Sequence, residues 1–177
     1  MPANVYIDES IRRDKYILVA CFVNHQQHQS VRRELKKLRQ RGSETIHMYS
    51  EPLQRQKVIA HSVVEMDIRS IVVSETLLAK PVILARSLCL QTMGNFESIR
   101  NAHQMTLDSS NSLRLDRKIL SDKAYEFNGV FPQYRHLSRR QEPLLWLPDI
   151  VAWCVGKGGN FAKMMESIST NPEATTQ

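Results

Sequence analysis

Three aspartates stand in this chain where an ionised carboxylate is either costly or useful. Asp8, followed by Glu9, ends the apolar run Val5-Tyr6-Ile7, and Asp108 ends Met105-Thr106-Leu107. Asp149 lies inside Leu144-Leu145-Trp146-Leu147-Pro148-Asp149-Ile150-Val151-Ala152-Trp153. A charged carboxylate in such company must stay at the surface, be paired, or hold a cation. Hard cations such as Mg²⁺ or Mn²⁺ take oxygen ligands, and two of them about 4 Å apart stabilise both the attacking and the leaving oxygen of an in-line phosphodiester displacement. The chemistry that Asp8, Asp108 and Asp149 could share is therefore metal-assisted hydrolysis. Each also has a plainer reading: Asp8 as a turn acid, Asp108 as the start of an Asx turn into Ser109-Ser110, Asp149 as a charge at a helix start.

The elements that must bring them together follow from periodicity. Residues 3–9 and 15–23 are rich in β-formers and are separated by the polar link 10–14, which predicts an antiparallel hairpin. From 26 to 41, Val31, Leu35 and Leu38 recur at helical spacing, while Arg32, Arg33, Lys36, Lys37, Arg39 and Arg41 cover the other face, with Gly42 as a stop. This basic helix is either a solvated face or a surface that tracks phosphates. An extended piece at 45–49 leads to Ser50 as N-cap and a helix at 51–66. A β-branched strand at 68–74 and a helix at 77–95 come next. A strand ending at Asp108, a helix at 113–126 and a strand at 130–137 complete the middle, Pro132 consigning that last strand to an edge. Pro148 suits a first helical position, so the last main helix should begin at 147 or 148 and hold Asp149 in its first turn, where free N–H groups and the helix dipole favour negative charge. Asp116, Asp122 and Glu126 read as the wet side of their helix, and Trp146 and Trp153 as core. Such strands and helices imply an α/β fold in which strand ends and helix starts meet at one rim.

At 177 residues the chain suits one domain, residues 1–168, followed by a flexible polar tail at 169–177. A hydrophobic fraction of 42% and a charged fraction of 24% exclude disordered and fibrous classes. The net charge of +6 favours a polyanionic partner. Cys21, Cys89 and Cys154 lie far apart in apolar stretches, as reduced buried thiols do, and have no zinc-binding spacing. With neither a secretory start nor an apolar run near the roughly 20 residues that cross a bilayer, the expectation is a cytoplasmic protein with no membrane partner.

The start Tyr6-Ile7-Asp8-Glu9-Ser10, the pair Ile46-His47 after a basic helix, and the pattern Leu-Leu-x-Leu-x-Asp-Ile-Val-Ala-Trp between Ser138 and Trp153 together resemble the domain-of-unknown-function family 3800. The resemblance spans about residues 4–157. It implies a ribonuclease H-like mixed sheet with helices on both faces, an acidic site for Mg²⁺ or Mn²⁺, and a nuclease activity inferred for the family. By position, Asp8 corresponds to the first-strand acid and Asp149 to the acid opening the last helix. The family usually carries Glu two residues before the His. Here Thr45 stands there and Glu44 one place earlier, which on a strand turns the carboxylate to the face opposite His47. Glu51 is the substitute within reach in sequence.

The leading expectation is a divalent-metal-dependent nuclease acting on RNA or DNA. Asp8, Asp108 and Asp149 would hold the ions, Glu9 and Glu44 or Glu51 would assist, and His47 would orient water or the leaving group. Arg32, Arg33, Lys36, Lys37, Arg39 and Arg41 would steer nucleic acid. The rival is a non-catalytic nucleic-acid-binding or protein-interaction module that keeps the fold but has lost part of its acid set, for which the displaced Glu44 argues.

Overall fold

A computed structural model describes residues 3–109 and 112–171. The hairpin forms as its residues dictate: β1 (Asn4–Ile11) pairs antiparallel with β2 (Lys15–Val23), from Asn4↔Val23 to Ile11↔Tyr16. All of β2 except Lys15 is buried, because both faces of that strand are covered. The basic helix α1 is shorter than its periodicity predicts, His28–Leu38, so Arg39 and Arg41 lie beyond it. After a single 3₁₀ turn at Met48–Ser50, α2 runs Leu53–Glu65. Pro52, rather than Ser50, occupies its N-cap.

Next come β3 (Arg69–Thr76), α3 (Val82–Gly94) with Pro81 at its N-cap, and the short, unexpected α4 (Glu97–Arg100). Then follow β4 (Gln104–Asp108), α5 (Leu113–Glu126) and β5 (Gln133–Leu137). A 3₁₀ turn at Pro143–Leu145 runs straight into α6 (Trp146–Lys157), so Pro148 is the third helical residue, where its missing N–H costs no hydrogen bond. Gly158, at φ 75°, separates α6 from α7 (Gly159–Met165). Ser169 and Thr170, expected to begin the loose tail, form β6 instead, pairing with Ser70 and Ile71. The rest of the proposed tail, 172–177, lies outside the described residues.

The six strands order as β5-β4-β1-β2-β3-β6. Strands β1, β4 and β5 are parallel, as are β3 and β6, while β2 runs antiparallel between β1 and β3. Strand β5 does lie at an edge, as Pro132 predicts. One face of the sheet (Tyr6, Ile17, Val19, Cys21) packs on α1, α2, α6 and α7, and the other (Ile7, Leu18, Ala20, Leu107) on α3 and α5. Cys21, Cys89 and Cys154 are free and buried, and both tryptophans belong to the core. No helix of the described residues is long and apolar enough to cross a membrane.

Candidate functional site

Side chains alternate along a strand, so Tyr6 and Asp8 face α6 while Val5, Ile7 and Glu9 face α3 and α5. Pairing of β1 with β4 stops at Ile7↔Leu107, although β1 continues to Ile11. Asp8 therefore lies not at the end of its own strand but where its parallel neighbour gives out. Asp108, the last residue of β4, falls one step past that register on the same face. Helix α6 crosses this face with Asp149 in its first turn.

One side chain joins the three. The guanidinium of Arg139, in the turn between β5 and α6, has Nε 3.1 Å from Asp8 Oδ2 and 4.0 Å from Asp108 Oδ1, and Nη1 3.0 Å from Asp149 Oδ1. Because these nitrogens belong to one planar fork, the Asp8 and Asp149 carboxylates are no more than about 9 Å apart. Arg139 is not among the residues that the sequence singles out. Its only signal there is the Arg139-Arg140 pair ahead of the long apolar run.

Burial governs the electrostatics. It pushes Asp8 well above the ordinary carboxylate value, with Arg139 opposing and the Asp149, Glu9 and Asp108 charges reinforcing the shift. Asp149 and Asp108 are raised for the same first reason and are also opposed by Arg139; a charge on His47 lowers Asp149 as well. Asp149 is thus raised by burial despite its place at a helix start. Asp8 is 2% exposed. Its Oδ1 accepts from the Glu9 amide at 2.8 Å, but no aligned donor reaches Oδ2, Arg139 being near and poorly directed.

The remaining candidates divide. His47 is exposed, and with Glu44, Asp108, Ser138, Arg139 and Arg140 it lines a cleft of about 410 Å³, which Asp108 and Arg139 join to the aspartate cluster. Glu44 reaches this cleft but its carboxylate pairs with Arg140 Nε at 2.8 Å. Glu51 does not substitute for it, since its buried carboxylate accepts from Arg55 Nε at 2.6 Å and Gln40 Nε2 at 3.0 Å. Glu9 is turned away as well: Arg86 Nη1 donates to its Oε2 at 2.8 Å on the opposite face. That arginine also donates twice to Asp116, at 2.8 and 2.7 Å, and once to the Tyr16 hydroxyl. Asp116, expected to be wet, is fully buried and further held by His136 Nε2 at 3.0 Å.

The basic residues also separate. Arg32 is committed to the buried Glu142 at 2.8 Å and Lys37 to Glu34 at 2.8 Å, while Arg33 lies 3.8 Å from Glu34 with most of its side chain in solvent. Arg32, Arg33, Lys36 and Lys37 still share one open surface, and Arg39 donates to the Glu44 carbonyl at 3.5 Å.

Among the described residues, no three acidic, His or Cys side chains are placed to share an ion as they stand, since Arg139 lies between the aspartates. The donor set nevertheless fits a hard cation: three carboxylates, one presenting a buried oxygen that no aligned donor satisfies.

No family model matches the chain, and no curated protein matches it. Among solved structures it is similar to ribonuclease HII in the PCNA:RNase HII complex from Archaeoglobus fulgidus. The TM-score is 0.59 at 15% identity, over 93% of this chain and 77% of that one. The mixed sheet, its helices on both faces and this likeness make the fold ribonuclease H-like α/β.

Proposed function

We propose that this protein is a divalent-metal-dependent nuclease that hydrolyses phosphodiester bonds in RNA or DNA, a reading that the resemblance to domain-of-unknown-function family 3800 also favours. The observation that carries it is the meeting of Asp8, Asp108 and Asp149 around Arg139 at one sheet rim, beside a cleft that Asp108 and Arg139 line, with Asp8 Oδ2 buried and without an aligned donor. Likeness to a ribonuclease HII supports it at the level of fold. Asp8, Asp149 and Asp108 are the residues to hold Mg²⁺ or Mn²⁺, which when bound would supply Lewis-acid stabilisation of the phosphoryl oxygens. His47 stands at the cleft wall to orient water or the leaving group. Arg33 and Lys36, with Lys37 and Arg32, offer a basic surface to the strand beyond the cleft. The test is a thermal melt with Mg²⁺ or Mn²⁺ beside cleavage of labelled RNA and DNA. A rise in melting temperature and cation-dependent cleavage, both lost in Asp8→Asn, are expected; no response to either ion refutes the proposal.

A second reading has its own support: Arg139 already occupies the place among the acids and offsets part of their charge, as a module that binds nucleic acid without cutting it would need. It predicts nucleic-acid binding that is indifferent to both ions and to Asp8→Asn.

A further inference from the structure

Arg139 is anchored by its backbone, and its head is held by ion pairs with the aspartates. Its carbonyl accepts from the buried Trp146 Nε1 at 2.9 Å, and the turn around it is closed by the Gln141 and Glu142 amides donating to the Ser138 carbonyl at 2.9 and 3.0 Å. The side chain is 25% exposed and opens onto the cleft. Its head can therefore leave the acids by rotating its own torsions, with no movement of the main chain. Where it stands, a second cation among the same oxygens would lie within a few ångströms of a like charge, so guanidinium and metal compete for one place. Once outside, the guanidinium would meet whatever fills the cleft, and its planar fork suits a phosphate. Arg140 lies beside it in an exposed pair with Glu44, which yields readily to a stronger partner.

Building on the proposed nuclease site, we infer that Arg139 is the resident counter-ion of the acid cluster and hands its place to the divalent cation when a phosphodiester enters the cleft and draws the guanidinium out. In the free protein Arg139 suppresses cation binding. With nucleic acid present it ceases to, so cation and polyanion each strengthen the other's binding. Arg139 is on this account a positioning residue that couples substrate arrival to assembly of the metal site.

The experiment is Mn²⁺ binding followed by electron paramagnetic resonance on the full chain, with and without RNA and DNA phosphorothioate oligonucleotides, the Mn²⁺ held by oligonucleotide alone being subtracted. Without oligonucleotide, Arg139→Gln should bind Mn²⁺ about tenfold or more tightly than wild type, and Arg139→Lys, which keeps the charge, should stay as weak as wild type. Oligonucleotide should tighten Mn²⁺ binding in wild type and leave Arg139→Gln unchanged. Equal Mn²⁺ affinities for wild type and Arg139→Gln, or an equal response of both to oligonucleotide, or none in wild type, would overturn the hand-over. If wild-type binding is measurable and lost in Asp8→Asn while Arg139→Gln changes nothing, only this inference falls. If no variant binds Mn²⁺ under any condition, the metal-site reading falls with it.

Discussion

Asp8 and Glu9 are adjacent in the chain and serve opposite halves of the molecule: Asp8 lies 3.1 Å from Arg139 on one face of the sheet, while Glu9 lies 2.8 Å from Arg86 on the other. The same pair of residue types thus does different work one strand position apart. In cation-free buffer at neutral pH, Asp8→Asn should raise the melting temperature, because it removes a carboxylate whose charged form burial disfavours. A gain of roughly 1 kcal/mol would appear as about 2–4 °C in a chain this size. Glu9→Gln should lower it and leave the Mn²⁺ response intact. Differential scanning fluorimetry in chelator, then in Mn²⁺, separates the two.

Stability should also depend on pH in two opposed ways. Asp8, Asp108 and Asp149 are raised above 3.8, so the folded protein holds their protons more tightly than the unfolded chain does. Their effect is a loss of stability as pH rises from about 4 through the raised values, constant thereafter. Asp116 runs the other way. Burial pushes it up, but hydrogen bonds from Arg86 and His136 outweigh this and lower it, so its contribution is present above 3.8 and is lost as pH falls through the lowered value. Urea midpoints in chelator should decline from about pH 4 towards neutrality, and decline less in Asp8→Asn.

The Arg86 cluster is predicted to be structural. Arg86 is 3% exposed and donates to Asp116, Glu9 and Tyr16. Arg86→Met strands the Asp116 carboxylate without its main partner and should cost about 3–5 kcal/mol, read as a lower denaturation midpoint. Arg86→Met with Asp116→Leu should recover much of the loss. Equal instability of single and double variants would count against this account.

If the basic surface of α1 tracks a nucleic-acid backbone, Arg33→Gln with Lys36→Gln should weaken binding of RNA and DNA alike and reduce the salt dependence, by about 0.9 in slope for each phosphate of duplex DNA that is no longer neutralised. Fluorescence anisotropy across a salt series measures it. Arg32→Gln should instead destabilise the fold, since Arg32 pairs with the buried Glu142.

Gly156 is closely packed against side chains. A Cβ there would lie 2.5 Å from Arg12 Nε and 3.1 Å from Ile17 Cδ1. Gly156→Ala should therefore shift the flexible Arg12 side chain away from the Trp153 carbonyl, to which it donates at 2.9 Å, a loss that the roughly 0.5–1 kcal/mol helix advantage of alanine offsets, leaving the thermal melt within about 1 kcal/mol of wild type.

Much was settled by local physics. Runs of β-forming residues in Val5-Tyr6-Ile7 and 15–23 on either side of a polar link specify the hairpin, helical spacing at 113–126 gives α5 residue for residue, and Pro132 marks an edge strand. Apolar surroundings alone single out Asp8, Asp108 and Asp149 as unusual. What the chain could not reveal by itself was which charges meet. Asp116 reads as solvated because nothing nearby in sequence shows that Arg86, thirty residues earlier, covers it. Glu51 looks available until α1 and α2 bring Gln40 and Arg55 to it. Arg139 is ordinary among many arginines until β5 and α6 place its guanidinium among three aspartates distant in sequence. Periodicity follows from steric and solvation preferences within a few residues, whereas partners for buried charge are chosen by long-range packing, which only the tertiary structure fixes.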